Sequence, residues 1–298
     1  MHDVLHLVSH AALHTLTDTV KLIPFLFLTY LLMEFLEHRA GDATERLLKQ
    51  SGNVGPFLGG VFGILPQCGF SVAASGLYTG RIITTGTLIA VYLSTSDEML
   101  PILISGGQDP LLILRLLGTK LLVGIVAGFC VDGVSRFLRR RGVGGNDSAA
   151  IEDLCERENC HCGNRLWLSA LKHTAYITLF LLLFTFAVTL VIDGVGEENI
   201  KALVLDRPVL SSILSSVVGL IPNCASSIAL TTLYTEGVIS VGAMLSGLFV
   251  NAGVGVAVLF RNNRPLSDSV RILLILFLIS VFAGIFIDLT PIGAWISG

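Results

Sequence analysis

The sequence predicts an all-α polytopic membrane protein made of two inverted-topology repeats, each with a broken re-entrant helical hairpin, for about ten membrane segments in total. Three observations predict this fold class: an apolar composition, an internal duplication, and the placement of the basic residues. Of 298 residues, 53% are hydrophobic and only 14% charged, and the mean hydropathy is +0.79. Soluble domains carry about 25% charged residues, so this chain has too little charge to cover a water-facing surface. Soluble enzymes, nucleic-acid binders and disordered chains are excluded together. A net charge of -3 gives no reason to expect an anionic partner. The expected environment is the lipid bilayer of the plasma (inner) membrane.

The elements follow in chain order. No Lys or Arg precedes Lys21, so the N-terminus lacks the basic region of a secretory signal. The first apolar run, Val20 to Phe35, is therefore expected to remain as a transmembrane helix. Further on, Gly63-Ile-Leu-Pro-Gln-Cys-Gly-Phe-Ser71 returns 156 residues later as Gly219-Leu-Ile-Pro-Asn-Cys-Ala-Ser-Ser227. Ten of the 24 positions from Gly63 to Gly86 are identical, including Pro66, Cys68 and Tyr78. Chance similarity between apolar stretches would match Leu, Val and Ala instead. Each half reads as four apolar segments: A at 17–37 and 168–192, B at 55–80 and 209–236, C at 82–105 and 238–260, and D at 110–135 and 269–290. A, C and D are each long enough for one span, since about 20 residues cross the hydrocarbon core. B is interrupted in both halves at its Pro-x-Cys. The expected organisation is a first repeat at 1–135, a cytoplasmic linker at 136–165 and a second repeat at 166–298.

Basic residues choose the topology. Arg136, Arg139, Arg140, Arg141, Arg157 and Arg165 place the central loop in the cytoplasm under the positive-inside rule. If B enters and returns on one side, Arg39, Arg46, Lys49 and Arg81 also fall inside, as do Arg261, Arg264 and Arg271. Only Lys201 and Arg207 then lie in outside loops. A single crossing by B would put the Arg261–Arg271 loop outside. The inverted arrangement is expected, with both termini extracytoplasmic.

Candidate site residues gather at the interruptions. Non-helical backbone at membrane depth is tolerated only where it lines a protein-enclosed or water-filled cavity, and broken helices in repeated halves are where transporters hold substrate. The substrate-binding candidates are Gln67, Cys68, Ser71, Asn223, Cys224, Ser226, Ser227 and Asn251. Pro also kinks a helix and small residues also permit close packing, so a purely structural use of the tips stays open. Ser94-Thr-Ser-Asp-Glu98 places two carboxylates inside segment C, and each costs about 2.5–3.5 kcal/mol on insertion scales. Thiol and carboxylate together suit a borderline divalent metal, which makes Cys68, Asp97, Glu98 and Cys224 the expected metal ligands. Asp97 and Glu98 are also proton-coupling candidates, with Glu34 and Asp193 at the A helices; partners for the carboxylates stand nearby as Lys120 and Arg115. Two accessory metal sites are expected, one at Cys155, Cys160, His161 and Cys162, the other at His2, His6, His10 and His14, spaced by four residues.

No Gly-x-Ser-x-Gly, His-Glu-x-x-His or Walker loop occurs, so an enzyme is not expected and a gradient would supply the energy. No resident cofactor is expected either, only the transported ion. Partners are lipid and a metal ion or metalloid, with no nucleic acid; a homo-oligomer is compatible with the reading.

His14-Thr15, Phe25-Leu-Phe-Leu-Thr-Tyr-Leu-Leu-Met-Glu34, the two Pro-x-Cys motifs and Ser94–Glu98 together resemble a family of ten-segment heavy-metal exporters. That family is also labelled manganese transporters or arsenic efflux proteins. The resemblance covers nearly the whole chain outside 142–165, and it implies export of a metal or metalloid. The expectation is a secondary active exporter of a divalent transition metal, manganese or similar, working by alternating access. An arsenical or metalloid efflux permease and an ion channel are the alternatives.

Overall fold

The computed structural model describes residues 54–65, 68–96, 99–140 and 208–297, with individual helical positions between 23 and 31 and between 171 and 183. Every regular element among the described residues is a helix. In chain order they are α1 (Val54–Gly63), α2 (Cys68–Thr79), α3 (Thr85–Ser94), α4 (Met99–Ser105) and α5 (Pro110–Arg140), then α6 (Pro208–Gly219), α7 (Cys224–Thr235), α8 (Val241–Val250), α9 (Val254–Asn262), α10 (Leu266–Leu289) and α11 (Pro291–Ser297). The duplication read from sequence is a duplication of helices. Both ends of α2 and α7, and both ends of α3 and α8, differ by 156, and so do the starts of α5 and α10.

Among the described residues, four stretches are long and apolar enough to cross a membrane: Thr85–Ser105, Pro110–Leu138, Val241–Asn262 and Leu266–Leu289. At about 1.5 Å per residue, the 24 residues of α10 reach beyond the ~30 Å hydrocarbon thickness. Apolar side chains such as Leu114, Leu122, Leu274, Leu278 and Phe282 are exposed along α5 and α10, as expected where the surrounding solvent is lipid. The inward stripes of these helices recur every four residues: Leu112, Leu116, Lys120, Gly124, Gly128 and Asp132 on α5, and Ile272, Leu276, Ser280 and Gly284 on α10. The chain is a multi-pass membrane protein with α3 and α8 at its centre, both buried along nearly their whole length.

One polar device holds each central helix to its long neighbour. Thr84 caps α3 by accepting from the Thr87 N–H at 3.1 Å, and its own hydroxyl donates to Asp132 Oδ2 at 2.6 Å. The other Asp132 oxygen accepts from the Gly86 N–H at 2.8 Å. The second half repeats this at the same offset: Ser240 caps α8, and Asp288 accepts from Ser240 Oγ at 2.6 Å and from the Gly242 N–H at 2.9 Å. A carboxylate thereby takes a backbone donor that the helix start leaves without an intrahelical partner. Gly86 and Gly242 let the helices meet, because an added Cβ would run into the Gly128 and Gly284 carbonyls.

The interrupted B segments form paired short helices. Gly55 lies against Thr87, Gly59 against Thr87 and Val91, and Gly63 against Val91 and Ser94, so α1 runs beside α3 in the same direction. In the second half Ser215 and Gly219 lie against Gly247, and Ser246 Oγ donates to the Ser212 carbonyl at 2.8 Å. After each tip, α2 or α7 leads back to the start of the central helix.

Segment C departs from expectation. It is broken as well, after Ser94 in the first half and at Asn251-Ala252-Gly253 in the second. Each membrane span of this type is thus two half-helices.

The halves also touch at their far ends. Tyr78 donates to Asp268 Oδ2 at 2.8 Å, Asn263 Nδ2 donates to the same oxygen at 2.9 Å, and the Arg81 guanidinium lies 4.0 Å from it. Arg81 adopts φ 59° where the equivalent residue is Gly237 at φ 73°. This left-handed conformation favours glycine. Elsewhere, Arg115 Nη1 donates to the Trp295 carbonyl at 2.6 Å, and its guanidinium lies 5.1 Å from the indole centroid.

Asp132→Ala is expected to destabilise the protein by about 1.5–3 kcal/mol, the range for hydrogen bonds to a charged group. Asp288→Ala should cost less, since that site is more open to solvent. Thermal unfolding of the purified protein in detergent checks both; equal stability of Asp132→Ala and wild type would contradict the assignment.

Candidate functional site

A helix that stops in an apolar interior leaves carbonyls at one end and amides at the other without partners. Eight such half-helix ends gather at the centre of the described structure. The C-termini of α1, α3, α6 and α8 lead into the breaks, and α2, α4, α7 and α9 start from them. Four carbonyl ends favour positive charge and four amide ends favour negative charge. Cys68 and Cys224 are the first helical residues of α2 and α7.

The second half shows how the ends are satisfied. Ser226 Oγ, in the first turn of α7, donates to the Asn223 carbonyl at 2.7 Å. Asn251, in the break between α8 and α9, donates through Nδ2 to Ser226 Oγ at 3.1 Å, and its Oδ1 accepts from the Gly253 N–H at 3.0 Å. Tip and break are therefore tied by side chains that are all buried: Asn223, Ser226 and Asn251 are each at most 6% exposed. The first half does the same with different residues. Ser96 Oγ donates to the Ile64 carbonyl at 2.6 Å, joining the α3–α4 break to the α1–α2 tip.

The two halves then meet. Gly255, near the start of α9, lies against the backbone of Ser71 in the first turn of α2, where a Cβ would come within 2.8 Å. Ser75, one turn on, lies 2.7 Å from the Gly255 carbonyl and 2.6 Å from the Tyr92 hydroxyl, so Tyr92 donates to Ser75 and Ser75 donates onward. Ser71 and Ser75 are fully buried. Lys120 is also fully buried, and its Nζ donates to the Leu248 carbonyl at 3.0 Å.

Among the expected site residues, Asn223, Ser226 and Asn251 form one bonded set. Ser71 stands beside it across the Gly255 contact, and Ser227 is buried in the first turn of α7. Gln67, Asp97 and Glu98 lie outside the described residues, as do the side chains of Cys68 and Cys224. So do Glu34, Asp193, Cys155, Cys160, His161, Cys162, His2, His6, His10 and His14. Among the described residues no three His, Cys, Asp or Glu side chains converge.

Sequence reasoning missed the second break, the Asp132 and Asp288 pair, and the bond from Lys120 to the Leu248 carbonyl. The pair was findable by carrying the 156-residue offset into segment D. Lys120 was legible only as a partner for carboxylates within its own repeat.

Residues 9–192 match the family described as "Putative, 10TM heavy-metal exporter". The chain belongs to this family. No curated protein and no solved structure matches it. Membership makes the chain a membrane transporter of a heavy-metal export family, with lipid and metal as its partners. The buried polar centre of the exporter is thus the place where its broken helices meet.

Asn251→Ala leaves the Gly253 amide and the Ser226 hydroxyl each without this partner, and is expected to cost about 1–3 kcal/mol. Thermal unfolding of the purified protein in detergent checks this, and an Asn251→Ala protein as stable as wild type would contradict the hydrogen-bond assignment.

Proposed function

We propose that the chain is a secondary active exporter of a divalent transition metal, manganese or similar, working by alternating access between two inverted repeats. The observation that carries the reading is the convergence of eight half-helix ends and a bonded set of buried polar side chains inside a family of heavy-metal exporters. Soft thiols at Cys68 and Cys224 and hard carboxylates at Asp97 and Glu98 would hold a borderline cation. Gln67 and Asn223 supply amide oxygens, and carbonyls freed at the breaks add further hard donors. Asp97 and Glu98 would pass the coupling protons, with Glu34 and Asp193 as entry groups. The Cys155–Cys162 and His2–His14 clusters would load or sense metal on opposite sides of the inner membrane.

Contacts between the two halves support the inverted repeats. With the second A segment taken from its sequence as a span, the chain between Arg81 and Asp268 crosses the membrane in C, D, A and C, and once more only if the α6–α7 pair also crosses. Tyr78 and Asp268 are 2.8 Å apart and must share a membrane face, which requires an even count. An even count supports an α6–α7 pair that enters and returns on one side. Arg115 and Trp295 give the same parity independently. In the first half, the course of α1 beside α3 supports the same form. With the basic central loop in the cytoplasm, the organisation becomes repeats at 1–135 and 166–298 around a linker at 136–165, with both termini outside. A Cys introduced at Glu197 should label from outside intact cells, and one at Asn263 should not; outside labelling at Asn263 would sink this topology.

The site is tested in inverted vesicles with manganese, zinc and arsenite as separate cargos. Asp97→Asn and Glu98→Gln each remove one negative charge at nearly constant shape and should each abolish metal uptake, because charge counts most at low dielectric. Cys68→Ser should weaken zinc more than manganese, since a hydroxyl is the harder ligand. Cysteines at the starts of α2 and α7 favour a second reading, a permease for trivalent arsenicals. In that case both Cys→Ser changes abolish export and the carboxylate changes are tolerated. Counterflow of labelled against unlabelled metal separates a carrier from a channel built on the same tips.

A further inference from the structure

The two repeats meet along two seams that the duplication relates. The first-repeat helix α2 packs against α9 of the second repeat, and α7 of the second packs against α4 of the first. The α2–α9 seam starts at the centre, where Gly255 lies against Ser71 and the Ser75 hydroxyl donates to the Gly255 carbonyl. It finishes where both helices end, at the bonds around Asp268. On the topology proposed above, that end faces the cytoplasm and the α4–α7 seam leads outward.

The chemistry at the two far ends differs. At the 156-residue offset, Tyr78, Arg81, Asn263 and Asp268 correspond to Tyr234, Gly237, Gly107 and Leu112. Asp268 is the third residue of α10 and Leu112 the third of α5, so the helix starts fix this alignment. The carboxylate, guanidinium and amide that meet at one end thus have no chemical counterpart at the equivalent positions of the other. Packing two like seams does not call for that difference.

The cluster is also able to release. Tyr78 and Asn263 are buried, and both donate to Asp268 Oδ2, at 2.8 and 2.9 Å. The Asp268 side chain is 27% exposed, so water can take the place of these donors when the seam parts. The Arg81 guanidinium stands 4.0 Å from the same oxygen and 5.6 Å from the Tyr78 ring centroid, and its Nε makes no hydrogen bond. Arg81 therefore adds attraction without fixing a geometry, and the ionised acceptor strengthens the two direct bonds.

We propose that Tyr78, Arg81, Asn263 and Asp268 form a latch that closes the cytoplasmic seam of the exporter and must open for each ion to load. The proposal rests on the alternating-access reading. With the latch closed, α2 and α9 are held together from Ser71 to their ends. When it opens, they part from the cytoplasmic side and the polar centre becomes reachable from there. Leu112, Gly107 and Gly237 cannot supply such bonds to the outward seam, so the latch weights the resting carrier toward a closed cytoplasmic side. The four residues act by positioning the repeats and leave the cargo to the centre.

The test uses inverted vesicles, whose outer surface is the cytoplasmic face, and a Val258→Cys reporter in α9. Val258 is fully buried about one turn beyond Gly255. A membrane-impermeant thiol reagent is added, and modification of the reporter is followed by peptide mass spectrometry. Tyr78→Phe, which removes only the hydroxyl, should raise the labelling rate about tenfold, the population shift that one hydrogen bond to a charged acceptor supports. Asp268→Asn should do the same, and the double variant should add little, because both changes break one bond. Manganese transport should show a lower apparent KM at the cytoplasmic face, since more of the carrier is competent to bind, and a lower maximal rate, since closing becomes less favourable. Tyr234→Phe should leave labelling unchanged. A purely structural tie would lower the Tm of Tyr78→Phe with labelling and KM unaltered, and that result overturns the proposal. Equal acceleration by Tyr234→Phe would be general loosening and overturns it too. Should Asp268→Asn not fold, Tyr78→Phe decides alone. Absence of manganese counterflow in wild type removes the alternating-access reading itself, whereas counterflow with unaltered labelling in Tyr78→Phe removes only the latch.

Discussion

A helix broken inside hydrocarbon exposes backbone donors and acceptors that no water can satisfy, and the centre of this protein is organised around meeting that demand. Side chains in and beside the breaks meet part of it. Ser96 takes the Ile64 carbonyl, Asn251 takes the Gly253 amide and the Ser226 hydroxyl, and Lys120 reaches the Leu248 carbonyl from a different repeat. These bonds let eight helix ends coexist at one depth. Without them the breaks would be disfavoured relative to two uninterrupted helices.

Close packing makes that depth reachable. Gly86 and Gly242 bring α3 and α8 within backbone distance of α5 and α10, and Gly255 brings α9 onto Ser71. The Asp132 and Asp288 carboxylates then fix the starts of α3 and α8, far along the chain from the breaks. Small residues set the spacing and the carboxylates set the register. The long helices keep an apolar outer face for lipid, so their inner stripes are free to carry Gly, Ser, Asp and a single Lys.

The repeats share a scaffold and differ in charge. Helix boundaries, caps and glycine contacts recur at one offset, while Lys120 becomes Leu276 and Asp97-Glu98 becomes Gly253-Val254. Arg81 in a left-handed conformation where the other half has Gly237 is a further departure, and it accompanies the contacts of Tyr78 and Arg81 with Asp268 across the halves. A duplicated frame with charge on one side gives a centre whose two approaches are geometrically alike and electrostatically different.

Membrane class, the duplication and the two Pro-x-Cys interruptions were all legible in the sequence, because composition and self-similarity are properties of the chain read in order. Asn223, Ser226, Ser227, Ser71 and Asn251 were also legible, since they neighbour those interruptions or align with the polar run of segment C. The break at Asn251-Ala252-Gly253 was not, because an apolar window with one Asn and scattered Gly reads as a continuous span. The bonds that make the centre were hidden for a different reason. Lys120 and Leu248 are 128 positions apart, Ser75 and Gly255 are 180 apart, and Tyr78 and Asp268 are 190 apart. Local pattern fixes which segments are helical and which are apolar. Which orphaned carbonyl a distant lysine satisfies depends on how those helices pack, and only the tertiary structure decides that.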